Sequence, residues 1–498
     1  MASAISSVDG GNGEAVDGER GRIFRDQPRW FSTLFMVDMW ERFSFYGMTA
    51  ILYLYLSAPE SEGGFGLSTT NSAAVFGTYM SLMFMGALPG GWLADRVLGA
   101  RKAVLIGGSL IAIGHYCMAV PARPSLFVGL LFVIAGTGLA KPAISSLVSS
   151  PYPNDTERRE ATISIFYMSI QISAFLAPIV TGLLGEKVNW HLGFGTAAVG
   201  MTFGLIQYVA GNKRFGEVGM LPERPIERDK LGVVKRRVAY AAAVLVVLLT
   251  VDVVTGAFKF QHILALCGLL IIGLPIVFYR ALRRNPGLTD GDRSRLVAYM
   301  WLLGGTSVFW LLYAQGGSVL SEFAREQTDR VILGWEVPAS WFQSAHPLFI
   351  LVLAPVFAML WLKMRGKIDV PVKFAGALLF IGVSFLLMSV AAAIAVEAKL
   401  VSPAWLLTVF FLQVCGELAL APIAISFAVQ IAPEGFTHQY LGLFWLFAAL
   451  GAGLGGRLAA LAENLPLSSY FLIFGLLAVV AGLLIAVATG RLRRRLAA

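Results

Sequence analysis

Long apolar stretches alternate with short polar ones along the chain, and the apolar stretches share one length class. Ile263 to Tyr279 contains no charge, and neither does Phe374 to Val396. A helix needs about 20 apolar residues to cross the hydrocarbon core of a bilayer. It is also the one local structure that satisfies every backbone hydrogen bond where lipid offers none. The pattern predicts six spans near 30–58, 70–95, 103–120, 125–150, 160–185 and 190–212. A pair follows near 238–254 and 260–281, then six more near 294–324, 338–363, 371–395, 402–431, 437–462 and 467–489. The expectation is an all-α membrane protein with 14 transmembrane helices. Its parts are a disordered cytoplasmic tail (1–29), a six-helix bundle (30–212), a basic cytoplasmic linker (213–237), an inserted helical hairpin (238–285), a second six-helix bundle (290–490) and a basic cytoplasmic tail (491–498). Two sets of six suggest two similar bundles with a site between them at mid-membrane.

Composition agrees with the pattern. Charged residues make up 14 % of the 498 and apolar residues 57 %, against about 25 % charged in a soluble domain. Too little polar sequence remains to cover this many apolar helices in water. The net charge of +9 raises the question of nucleic acid. The positions of the cations answer it. With the N-terminus inside, 30 of the 39 Lys and Arg fall in inner segments, 6 in outer loops and 3 within spans. Such a bias places both termini in the cytoplasm and makes the bilayer, not nucleic acid, the partner of the basic residues. Residues 1–29 lack the short apolar core of a signal peptide, so the expected location is the inner (plasma) membrane, as a multi-pass protein. Cys117, Cys267 and Cys415 have neither metal-ligand spacing nor the look of a disulfide framework. No metal or cofactor is expected. Asn154-Asp155-Thr156 has the form of a glycosylation acceptor but falls in an inner loop and is read as chance.

Charges inside the spans are the informative exceptions, because each costs a few kcal/mol or more in lipid. The first span holds Asp38, Glu41 and Arg42. Residues three and four apart share a helix face, so these can pair. Lys141 stands in the fourth span and Glu417 in the tenth core span, each without a charged neighbour. A buried lysine and a buried glutamate on opposite bundles should pair or turn neutral. Tyr46, Tyr79, Tyr167, Trp310 and Tyr313 also lie within spans.

These residues carry a resemblance. Trp40-Glu41-Arg42-Phe43-Ser44-Phe45-Tyr46-Gly47, preceded by Asp38, resembles the ExxERFxYYG signature of the proton-dependent oligopeptide transporters of the major facilitator superfamily. Gly91-Trp92-Leu93-Ala94-Asp95-Arg96, followed by Arg101 and Lys102, is similar to the superfamily's loop motif after its second helix. Phe166-Tyr167-Met168-Ser169-Ile170-Gln171 resembles FYxxIN, and Glu417-Leu418 with Ala421-Pro422 resembles the helix-ten ExxxSP element. Pro338 to Gln343 also matches. The resemblance covers roughly 25–490, and the extra helix pair is typical of bacterial members.

The resemblance implies the superfamily fold and import of di- or tripeptides, or of peptide-like solutes, with protons by alternating access. It implies no enzyme activity and no cofactor beyond the proton gradient, and the chain is expected to act as a monomer. Asp38, Glu41, Arg42 and Lys141 would serve proton coupling. Arg42 would meet the peptide carboxylate and Glu417 its amino end. Phe45, Tyr46, Tyr79, Lys141, Gln171, Trp310 and Phe444 would line the pocket, Phe444 standing where the family has a tryptophan. Independently, a zwitterion needs a cation for one end and an anion for the other, and arginine offers two parallel donors to a carboxylate.

Three departures qualify this. The family's WxxFEQ element reads Trp310-Leu311-Leu312-Tyr313-Ala314-Gln315 here, without its carboxylate. The arginine many members carry after the YYG glycine is Thr49. Since those two charges can pair in the family, losing both is self-consistent. His346 stands where the family has a pocket asparagine, and an imidazole can take a proton near neutral pH. His346 is therefore expected to join both proton coupling and substrate binding. The alternative function is a divergent member that carries a non-peptide solute or exports one. Arg457, after the glycine-rich Gly451–Gly456, has no explanation in the sequence.

Overall fold

The structure, a computed structural model, describes residues 30–149, 156–255, 259–364 and 367–497. The tail expected at 1–29 and the Asn154-Asp155 pair lie outside these residues. The first six helices are α1 (Phe31–Ser57), α2 (Thr69–Leu93), α3 (Ala100–Ala119), α4 (Arg123–Ser149), α5 (Thr156–Lys187) and α6 (Trp190–Gly211). The inserted pair is α7 (Arg228–Val254) and α8 (Phe260–Arg283). Then come α9 (Asp290–Tyr313), α10 (Val319–Glu326), α11 (Ala345–Lys363), α12 (Val370–Ala398), α13 (Ala404–Ile431), α14 (Thr437–Leu458), α15 (Leu461–Asn464) and α16 (Leu467–Ala497). Twelve helical segments among the described residues are long and apolar enough to cross a membrane. The helices α1 and α7 are as long, at 27 residues each. The first is less apolar because it carries Asp38, Glu41 and Arg42, whereas α7 keeps its charges in its first turns and runs on through the apolar stretch Val238–Val254, where Asp252 is the one charge. Counting both reaches the expected fourteen.

The elements differ from the sequence pattern in four places. The span expected at 294–324 breaks after Tyr313 into a tight turn at Ala314–Gly317 before α10. Gly316 and Gly317 are poor helix formers, and the Phe76 ring lies against Gly317 where a side chain would be. The span expected at 437–462 stops at Leu458, and α15 follows. The linker becomes helical from Arg228, well before 237. The expected tail at 491–498 is instead the end of α16, which runs to Ala497. Its Leu, Arg and Ala residues favour helix, and Arg494 and Arg495 suit the negative end of the helix dipole.

Helices α1, α5 and α6 pack together, as do α2, α3 and α4; α12 packs against α13 and α16, and α9 against α14 and α16. The two halves meet where α2 lies on α14 and α5 on α11. The α2–α14 seam explains the glycine-rich stretch of α14. A Cβ on Gly77 of α2 would sit 2.6 Å from the Cα of Gly456. A Cβ on Gly451 would meet the Leu311 amide of α9 at 3.0 Å, and one on Gly453 would meet Ser81 Oγ at 2.5 Å and Ile271 of α8. Small residues let three neighbouring helices approach α14 at once. Ser81 Oγ then donates to the Ala449 carbonyl at 2.6 Å. The helix α8 covers the seam: Ile271 packs with Met85 of α2 and with Leu446 and Ala449 of α14. Arg457 completes the docking. Its guanidinium donates to the Leu264 carbonyl of α8 at 2.8 Å and to the Gly453 carbonyl at 3.0 Å.

The loop after α2 docks the linker. Arg101 donates to Asn212 Oδ1 and to the carbonyls of Asn212 and Gly216, at 3.0 and 2.6 Å for the two carbonyls. The carbonyls of Asp95 and Arg96 accept from the Arg224 and Ile226 amides, both at 3.1 Å. Gly99 has a positive φ of 80°, and the Met220 carbonyl fills the space a Cβ would take.

At the end away from the α1 N-terminus the halves are tied together. Glu186 of α5 accepts from the amides of Ala339 and Ser340, at 2.8 and 2.9 Å, and from Ser340 Oγ at 2.5 Å. Gln343 Nε2 donates to the Ala50 carbonyl, Arg325 to the Leu54 carbonyl and Ser344 Oγ to the Phe175 carbonyl. Lys187 meets Glu336 at 2.9 Å, beside a short hairpin of β1 (Val331–Ile332) and β2 (Trp335–Glu336). The hydrogen bond from Lys187, then Arg330, hold the Glu336 carboxyl below its ordinary range. Its share of this closure is thus present above the ordinary carboxylate pKa and is lost only as pH falls through the lowered value.

Two measurements check this architecture. Gly456→Leu forces α2 and α14 apart, and the expected cost is about 1–3 kcal/mol, read as a lowered melting midpoint of the purified protein; an unchanged midpoint contradicts the packing. Glu186→Ala removes three hydrogen bonds to a charged acceptor, each worth about 1.5–3 kcal/mol. Spin labels at Val188→Cys and Ile332→Cys, in a cysteine-free background, should report a longer and broader distance in that variant at pH 7.5. An identical distribution removes Glu186 from the closure.

Candidate functional site

Between the halves lies a cavity of about 470 Å³. One wall comes from α1, α2, α4 and α5, with Asp38, Arg42, Phe45, Tyr46, Lys141 and Gln171; the other comes from α9, α11 and α13, with Trp310, Tyr313, His346 and Glu417. The lining extends through Ser145, Val148 and Ile163 toward the end that carries the α1 N-terminus.

The first wall is built around Arg42. Helical spacing puts Asp38, Glu41 and Arg42 on one side of α1, and all three are buried. Arg42 Nη2 lies 2.5 Å from Glu41 Oε2, and Nε lies 3.9 Å from Asp38 Oδ1. Asp38 Oδ2 also accepts from Ser169 Oγ of α5 at 2.9 Å. Two further hydroxyls of α5, Ser173 and Thr181, donate to the α1 carbonyls of Met39 and Gly47. The guanidinium carbon stands 5.7 Å from the centre of the Phe45 ring. Arginine keeps its charge at any working pH, so this wall permanently holds a cation compensated by two carboxylates.

Lys141 adds a second cation. Among the described residues no carboxylate pairs with it. Its ammonium lies 5.7 Å from the Phe84 ring and 5.8 Å from the Trp445 ring. Those rings stack on each other across the α2–α14 seam, with centroids 5.7 Å apart. An ammonium near two aromatic faces gains about 0.5–2 kcal/mol.

The second wall is anionic. Tyr313 OH donates to Glu417 Oε2 at 3.3 Å, and His346 Nε2 lies 3.4 Å from the same oxygen. The Tyr313 ring meets the His346 ring edge-on at 5.2 Å, and Phe410 meets it from α13. Ala314, in the turn after α9, lines the cavity with a methyl group where the signature has a carboxylate. Thr49 is turned inward and spends its hydroxyl on the carbonyls of Phe45 and Tyr46.

Of the residues expected from sequence, Asp38, Arg42, Phe45, Tyr46, Lys141, Gln171, Trp310, His346 and Glu417 line one cavity. Three do not. Glu41 lies behind Arg42. Tyr79 is buried in the core with a partnerless hydroxyl. Phe444 is fully buried and absent from the cavity lining, while the next residue, Trp445, turns toward Phe84 and Lys141. One residue along a helix is a turn of about 100°, so the two neighbouring side chains point different ways. The loop residues Asp95, Arg96 and Arg101 bind the linker and lie apart from the cavity; Lys102 is exposed. Sequence reasoning gave no role to Tyr313 or Gln413, which also line the cavity. The signals were there: Tyr313 adjoins the lost carboxylate, and Gln413 is one turn before Glu417.

A model of the POT family matches residues 101–473. The chain is 37 % identical to the uncharacterised transporter YclF of Bacillus subtilis, over 92 % of this chain and 93 % of that one. It is 31 % identical to a di-/tripeptide transporter of Lactococcus lactis subsp. cremoris, over 93 % and 95 % of the two chains. Its fold matches the crystal structure of a peptide transporter in complex with sulfate, at a TM-score of 0.90 and 38 % identity, over 95 % and 96 % of the two chains. Transport, not catalysis, is the activity common to these proteins, and the chain belongs to the POT family.

Proposed function

We propose that the protein imports di- or tripeptides, or peptide-like zwitterions, together with protons. The observation that carries this is the opposition of charges across one cavity: Arg42 and Lys141 on one wall, Glu417 on the other. A peptide carboxylate suits the planar fork of Arg42. Its ammonium suits Glu417, with Tyr313 steadying the acceptor oxygen. Protonating Asp38 or Glu41 removes a partner of Arg42 and frees the guanidinium for a substrate carboxylate, which links proton and substrate. The proton gradient is the only driver this chemistry needs, and no cofactor enters it. With both termini in the cytoplasm of a plasma-membrane protein, the tied end of the structure faces outward and the cavity leads inward. A single chain supplies both walls, which supports action as a monomer.

A second reading is favoured by one specific feature. Ala314 stands where the family signature has a carboxylate and Thr49 where many members have an arginine, and the cavity there is lined by a methyl group. A POT protein altered at that point fits a non-peptide amino acid-like solute, or export, as the alternative.

Uptake of labelled Ala-Ala into proteoliposomes with an acidic exterior separates the readings. Peptide symport predicts accumulation that collapses when a protonophore is added. Glu417→Gln should lower kcat/KM at least tenfold, the scale of one hydrogen bond to a charged group. Absence of peptide uptake under the gradient favours the alternative.

A further inference from the structure

His346 makes a contact that the peptide reading leaves unused. Its Nε2 is buried, has no hydrogen-bond partner, and lies 3.4 Å from Glu417 Oε2. That oxygen already accepts from Tyr313 OH. The groups around the imidazole are Tyr313 of α9 and Glu417 and Phe410 of α13. The facing wall carries Tyr46 of α1 and Tyr167 and Gln171 of α5, together with Asp38, Arg42 and Lys141. Glu417 is thus the only carboxylate against His346 among the described residues.

We propose that His346 determines substrate release: a proton on its ring competes with the substrate ammonium for Glu417. The inference rests on the reading of a zwitterionic substrate given above. With the imidazole neutral, the only positive charge seeking the Glu417 carboxylate is the ammonium. A second ring proton turns His346 into a cation within ion-pair distance of that carboxylate. The pair then offers little net attraction to another cation, and imidazolium and ammonium repel each other in a low-dielectric site. The two occupancies exclude one another. A co-transported proton that reaches His346 expels the amino end of the substrate. An asparagine at this position cannot do this, because it takes no proton. The device also places a proton-sensitive group on the second wall, where Ala314 supplies none.

One competing proton has a fixed signature. On the acid side of the histidine midpoint the apparent Kd rises about tenfold per pH unit, by linkage. The test measures equilibrium binding to the full-length protein in nanodiscs, with no proton gradient, from pH 8 to 5.5. The ligands are Ala-Ala and propionyl-alanine, which is Ala-Ala without its amino group. In the wild type, Ala-Ala affinity should fall toward acid with that slope, while propionyl-alanine should lack the fall. In His346→Asn the Ala-Ala affinity should lose its acid limb. The propionyl-alanine arm uses unaltered protein, so a poorly folded variant does not spare the proposal. It is overturned if His346→Asn keeps the wild-type slope, if propionyl-alanine shares it, or if the wild type has none. Absence of Ala-Ala binding even at pH 8 is a different result: it overturns the peptide reading, and this inference with it.

Discussion

Arg42 sets the terms for the rest of the molecule. It is buried in the centre of a membrane protein and cannot shed its charge. An uncompensated charge there would cost several kcal/mol or more. Asp38 and Glu41 compensate it from the same helix, and Ser169 of α5 holds Asp38. That requirement draws α5 against α1, and Ser173 and Thr181 continue the contact with hydroxyl-to-carbonyl bonds. A helix too polar to stand alone in lipid is thereby placed at the middle of its bundle. Asp38 and Arg42 of the same cluster line the cavity. The interaction that makes the first half fold is also the one a proton would disturb.

The second half answers with a different economy. Its wall carries Glu417, Tyr313 and His346, and no permanent cation among the cavity residues. The halves touch along two seams of unlike character. On the α2–α14 side, glycines bring backbones into contact, and α8 lies over the seam, anchored by Arg457. On the α5–α11 side, polar ties such as Glu186 to Ser340 and Ser344 to Phe175 gather toward one end. Backbone packing through glycine tolerates small rotations about a crossing point, and a set of hydrogen bonds at one end makes or breaks as a group. That combination suits rocking between two arrangements more than continuous deformation. At the closed end the Glu186 carboxylate sits on the backbone amides of Ala339 and Ser340, beside side-chain ties from Gln343 and Arg325 to backbone carbonyls.

Much of this could be read from the sequence because membranes make charges expensive. Asp38, Arg42, Lys141 and Glu417 stood out where no charge should be, and the structure gathers them around one cavity. The helices were legible for the same reason. What could not be read depends on helical phase and on partners distant in sequence. Phe444 and Trp445 are neighbours in sequence, yet only the packing against Phe84 and Lys141 shows which one turns to the seam. Arg457 is paired with carbonyl oxygens, and no residue type signals a free carbonyl. Glu186 looked like an ordinary helix-end glutamate, since its main-chain amide partners are 153 and 154 residues away. The break at Ala314–Gly317 came from a glycine pair and a ring on another helix, which the hydropathy of the span could not reveal.

The distribution of charge argues for a substrate that bridges. A simple anion would compensate Arg42 or Lys141 and leave Glu417 alone on the opposite wall. A simple cation would do the reverse. A zwitterion of peptide length satisfies both walls at once, and only while they are close enough for it to span. Its binding energy is therefore largest in the closed arrangement, so the substrate draws the halves together rather than merely filling a hole. The same logic identifies what must fail for release. One end has to lose its partner while the other is still held. On the first wall the cation is permanent, and its carboxylate partners are already engaged. On the second wall Glu417 has two titratable neighbours among the described residues, the Tyr313 hydroxyl and His346, and of these only His346 can take on a positive charge. The weaker hold, and the one a proton can cancel, is at the ammonium end.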